Sequence, residues 1–202
     1  MKTSKVLLTL VLFFGLTLTN CETEETCPPF EGAFFDIQGI RSLVHHYRLS
    51  DSASPPLENN AVIPFESYSW LILRYSVDFL SSKEPTKSNS GLGQLYALSC
   101  LQNGEAGSKN EKYENITVVT LNDFSDQFSN GDTINELVRI GFDQTIEEFL
   151  AFQDTINIQQ NALIFGLIEP PTANPKYRVR VTVELNTGEI YSRESNTVEF
   201  SN

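Results

Sequence analysis

Apolar residues fall at every second position through much of this chain. Leu71, Leu73, Tyr75, Val77 and Phe79 alternate with Ile72, Arg74, Ser76 and Asp78. That period of two marks a strand with one face on a core. Tyr177, Val179, Val181, Val183 and Leu185 repeat the pattern against Arg178, Arg180, Thr182 and Glu184. Residues 34–49 are rich in strand formers and broken by Gly39, which predicts one long bent strand or two short ones. Residues 61–80 form a strand region interrupted by Pro64. Shorter strands are predicted at 92–101, 116–121 and 162–168, the last stopped by Pro170 and Pro171. Polar stretches at 51–60, 83–90 and 102–115 are loops, and Asn186-Thr187-Gly188 is a turn from which residues 189–191 return. Val198 and Phe200 finish the pattern.

Between the strands the period changes. Asp132 is placed to cap a short helix reaching Arg139. Thr145 and Glu148 fit a capping box ahead of Phe149, Leu150 and Phe152. Phe149 and Phe152 lie three apart, which puts them on one helical face. The expectation is a mainly β fold: an antiparallel immunoglobulin-like β-sandwich with a helical insertion at about 132–153. A barrel is the competing all-β arrangement.

The N-terminus has another character. Lys2 and Lys5 precede an almost wholly apolar run over residues 6–19. About 14 residues fall short of the roughly 20 that a spanning helix needs, so the run reads as an export signal. No alanine stands before Ala33 to suit ordinary signal cleavage. Leu18-Thr19-Asn20-Cys21 resembles a bacterial lipoprotein box, with Asn20 where the box has a small residue. The resemblance implies that Cys21 becomes the lipidated first residue. Several acyl chains hold a protein on a membrane where one is marginal. Residues 1–20 are then the signal peptide, 21–32 an acidic tether, and 33–202 a single domain. The tether's Glu22, Glu24 and Glu25 resemble the export tract of surface-exposed lipoproteins of Bacteroides-type bacteria. That implies the outer membrane and its outer surface; a spacer facing the periplasm is the other reading.

Charge narrows the partners. The net charge is −12, and losing Lys2 and Lys5 with the signal makes it −14. Such a chain repels phosphates, which argues against nucleic acid, and it lacks the basic clusters that attract anionic lipid. If Cys21 is lipidated, Cys27 and Cys100 remain. Outside the cytosol they can form a disulfide, closing a loop of roughly 70 residues for up to about 4 kcal/mol; two free thiols are the alternative.

Several segments occur together in a recognisable order: the lipid cysteine, LYALSC, ITVVTLNDFSDQFSNGDTINEL, TIEEFLAF and KYRVRVTVELNTGEIYSRESNTVEF. In that order they resemble an uncharacterised lipoprotein family of Bacteroides-type bacteria, over nearly the whole mature chain. The resemblance implies location and fold and carries no assigned activity.

Chemistry is sparse. His45 and His46 are adjacent in a strand, so they point to opposite faces and do not share a metal. No Gly-x-Ser-x-Gly elbow accompanies them for serine catalysis. Asp126, Asn130, Gly131 and Asp132 invite a calcium reading. Phe128 and Leu137 break the EF-hand spacing, and a capped helix entry explains the same residues. Nothing calls for a cofactor or a resident metal. Asp51-Ser52-Ala53, Asp132-Thr133-Ile134 and Asp154-Thr155-Ile156 resemble the O-glycosylation triplet of Bacteroides-type bacteria, with Ser52 in the best-exposed loop. Tyr68, Trp70 and Arg74 form a candidate binding face on one strand, against the plainer reading of core packing. The expected function is therefore a non-catalytic, lipid-anchored display or binding module with a protein or glycan partner. A glycan-acting hydrolase with two carboxylates roughly 5–9.5 Å apart and a structural subunit of an envelope assembly are the alternatives.

Overall fold

A computed structural model describes residues 31–48, 55–80, 103–141, 143–152, 156 and 162–201. Cys21, Cys27, Ser52 and Cys100 lie outside the described residues, as do the signal run, most of the tether, the 83–90 loop and the 92–101 strand expected from the sequence. The chain folds as β1 (Phe34–Tyr47), β2 (Ala61–Pro64), β3 (Tyr68–Leu80), β4 (Tyr113–Thr120), β5 (Val138–Ile140), α1 (Ile146–Phe152), β6 (Ala162–Leu167), β7 (Lys176–Tyr177), β8 (Val179–Leu185), β9 (Ile190–Glu194) and β10 (Val198–Ser201). The fold is mainly β. One sheet has the order β1-β3-β6-β5, a second β2-β10-β7 and a third β4-β8-β9. All pairings are antiparallel except β2 with β10.

The second and third sheets share two stretches of chain. β7 runs into β8 after Arg178, and β9 into β10 after residues 195–197. The two breaks lie side by side, the Ser195 amide donating to the Val179 carbonyl at 2.9 Å. The predicted alternations hold where a core lies on one side. Leu71, Leu73 and Tyr75 are buried with Val179, Val181, Val183 and Leu185. Side chains from the four-stranded sheet meet those of the other two directly. Tyr68 stacks edge-on to Tyr177 and Phe200, and Tyr75 lies against Tyr113.

Three bulges re-aim side chains. β1 carries an extra residue at Gln38 and another at Arg41, and β3 carries one at Ser69. Between the first two, Ile40 faces Tyr75 and packs on the core. Gly39 takes φ +152 at this bend, a region open to glycine and strained for other residues.

The insertion differs from expectation. The capping box forms: the Thr145 amide donates to Glu148 Oε2 at 2.9 Å and the Glu148 amide to Thr145 Oγ1 at 3.1 Å. The helix behind it buries Ile146 and Phe149, but Phe152 is 82% exposed, so the two phenylalanines do not share a buried face. The helix expected from Asp132 to Arg139 is absent. Asn135 is used instead to cover the edge of β4, accepting from the Val118 amide and donating to the Ile116 carbonyl. A 3₁₀ turn at Asn135–Leu137 follows, and Val138 and Ile140 enter the sheet beside β6. Asp132 turns back to accept from the Ser129 amide at 2.7 Å.

Candidate functional site

His45 reaches the core on β1 and is wholly buried. Its Nδ1 lies 3.0 Å from the Tyr68 hydroxyl and its Nε2 3.0 Å from Ser195 Oγ. Ser195 Oγ donates to the Asn196 carbonyl and accepts from the Val179 amide. One assignment satisfies every group: Nε2–H donates to Ser195, and the Tyr68 hydroxyl donates to Nδ1. Burial holds the ring neutral, down at about 3 from 6.5, because a charged imidazole loses its hydration there. This serine and histidine touch, yet the serine proton is directed at a carbonyl. The pair ties the two layers together. His46, on the opposite face, is half-buried.

Of the candidate binding face, Tyr68 belongs elsewhere. The bulge at Ser69 rotates it into the core, where it is 6% exposed. Trp70 and Arg74 stay on the outer face of the four-stranded sheet. The Trp70 indole lies over Gly166 of β6 so closely that a Cβ there would stand 3.1 Å from the ring. The 126–132 segment is a loop of capped turns. Asp123 accepts from the Asn130 amide and Asp132 from the Ser129 amide. Among the described residues no group of three or more acidic, histidine or cysteine side chains is arranged to hold a metal.

The most developed concavity was not foreseen. An open groove of about 700 Å³ is lined by Phe65, Glu66, Pro170, Pro171, Thr172, Pro175, Glu199, Phe200 and Ser201. Pro64 ends β2 and starts the 3₁₀ turn that carries Phe65 and Glu66. Phe65 meets Phe200 edge-to-face at 5.3 Å, giving an aromatic wall, and the prolines after β6 supply a stiff one. Glu66 is exposed and Glu199 half-buried. Among the described residues neither is in an ion pair; Glu199 lies opposite Lys176 in register without closing one. A smaller hollow of about 380 Å³ adjoins the groove, sharing Phe65 and Glu66 and adding Arg48 and Trp70. The prolines were legible only as the stop of a strand.

Glu111 is the other residue that sequence patterning missed. It sits 4% exposed at the edge of β1, both carboxylate oxygens facing the Ile37 amide at 3.0 and 3.2 Å. Burial, with Asp36 and Glu189 nearby, pushes its pKa up to about 7 despite that hydrogen bond.

Compared with known proteins, the chain matches no family model, no curated protein and no solved structure.

Proposed function

We propose that the protein is a lipid-anchored binding module of the bacterial envelope, built as an immunoglobulin-like sandwich, that takes a basic segment of a partner protein in the Phe65–Phe200 groove. The strand order supports the fold. β1-β3-β6-β5 follows the A-B-E-D order of such domains. The β9–β10 and β7–β8 stretches with β4 follow G-F-C, and β2 lies parallel to β10 at the far edge. The N-terminal motif and the resemblance to lipoproteins of Bacteroides-type bacteria support acylation of Cys21 and outer-membrane residence.

The observation that carries the binding reading is the groove itself: rigid proline and aromatic walls, two carboxylates outside any ion pair, and no basic residue in its lining. Apolar walls with a few aimed polar groups are what recognition sites offer, and the charge fits lysine or arginine. A glycan hydrolase would set two carboxylates across a cleft. Asp36 and Glu111 are the close pair here, and Glu111 is engaged with the backbone of β1.

Titrating the isotopically labelled protein with a blocked hexapeptide carrying two lysines tests this. Shifts are expected at Phe65, Phe200 and Ser201 amides, weaker at high salt. The Glu66→Lys/Glu199→Lys protein is expected to bind about tenfold more weakly, since exposed pairs are worth up to about 1 kcal/mol each. Equal shifts with the glutamate counterpart, or none with either, reject the groove as a basic-segment site.

A further inference from the structure

Residues 103–111 form a strap along the free edge of β1. The Gly104 and Ala106 amides donate to the Gly32 and Ala33 carbonyls, the Phe35 amide to Gly107 and the Lys109 amide to Phe35. The next β1 donor, the Ile37 amide, meets the Glu111 side chain in place of a carbonyl. Glu111 is itself tied into the strap, its amide donating to Ser108 Oγ and its carbonyl accepting from that hydroxyl at 3.0 Å each. Both residues also hold Ile156: the Ser108 amide donates to the Ile156 carbonyl and the Ile156 amide to the Glu111 carbonyl.

The surroundings of this carboxylate are one-sided. Asp36 of β1 is within hydrogen-bonding reach, and Glu189 adds charge from the β8–β9 turn. Asp36 in turn stands directly opposite Asp78 of β3. Tyr75 and Tyr113 face it from β3 and β4, and Tyr191 of β9, whose hydroxyl donates to the Ile37 carbonyl at 2.8 Å, completes the ring. Lys109 and Lys112 are exposed, and among the described residues neither forms an ion pair. Two carboxylates this close do not both ionise freely; one retains a proton that both oxygens share.

We infer that residues 103–111 are a pH-sensitive latch on β1, closed while Glu111 and Asp36 share a proton and loosened when both carry charge. The latch governs whether the Ile37 edge of the first strand is covered. An uncovered edge is a template for pairing with another strand.

Amide exchange of the full chain from pH 5 to 8.5, expressed as protection relative to an unstructured peptide, tests it. Protection at Ile37 is expected to fall at least tenfold as pH rises through about 7, while Val181 in β8 holds. Glu111→Gln, which keeps an acceptor but never ionises, is expected to show flat protection, and Asp36→Asn a smaller fall. The Glu111 carboxyl carbon of the unaltered protein, followed by NMR, is expected to titrate near neutrality, so the inference does not depend on a variant folding. Flat protection at Ile37, an equal fall in Glu111→Gln, or a Glu111 midpoint below about 5, close to the ordinary glutamate range, overturns it.

Discussion

His45 is a titratable group spent on architecture. It joins Tyr68 of the four-stranded sheet to Ser195 at the break between β9 and β10. His45→Ala leaves two buried hydroxyls short of a partner beside a new cavity, an expected loss of about 3 kcal/mol by urea unfolding. The pH dependence has a sign. The unfolded ring takes a proton near 6.5 and the folded one only near 3, so stability falls as pH drops through that interval, by up to about 1.4 kcal/mol per unit. Glu111 acts in the opposite sense. The folded state keeps its proton up to about 7 and the unfolded state releases it near 4.5, so stability falls as pH rises across that window. Between 4.5 and 6.5 the two slopes oppose each other. Removing one, in Glu111→Gln, is expected to leave a steeper loss on acidification from pH 6.5 to 4.5 than the unaltered protein shows.

At the scale of elements, β1 depends on its bulges. Gly39→Ala meets open space, with nothing within 4 Å of the added carbon. It is still expected to destabilise by about 1–3 kcal/mol, because φ +152 is costly with a side chain. Thermal unfolding of Gly39→Ala checks this, and a neutral result would show that β1 straightens at little cost. The same bulges mark the limit of what sequence patterning reveals. β3 and β8 were legible because each has one face on the core and one on solvent, so every second residue reports burial. The capping box of α1 was legible because its two partners are three residues apart. The displacement of Tyr68 from Trp70 and Arg74 turns on one extra residue at Ser69, which leaves no mark in the alternation. β5 was misread as helix because Asn135 answers to β4 and Val138 to β6, partners remote in sequence. The groove draws on three separate stretches, and Glu111 is buried by neighbours from four strands.

For the whole molecule, charge and the N-terminus set the terms. A body of net charge −12 has no electrostatic pull towards anionic lipid, so attachment would rest on Cys21. Cells fed a clickable palmitate are expected to label the protein and retain it with membranes. Cys21→Ser is expected to abolish labelling and release the protein, and labelling that survives this substitution would refute acylation at that sulfur. Order of assembly follows from the place of β10. It lies between β2 and β7, pairing Val198 with both Ala61 and Tyr177, and sends Val198 and Phe200 inward. A nascent or translocating chain therefore has β2 and β7 waiting, unjoined, until residues 198–201 emerge. Such a polypeptide stays threadable through a narrow channel for nearly its whole length, and closes like a zip whose slider is its final tooth.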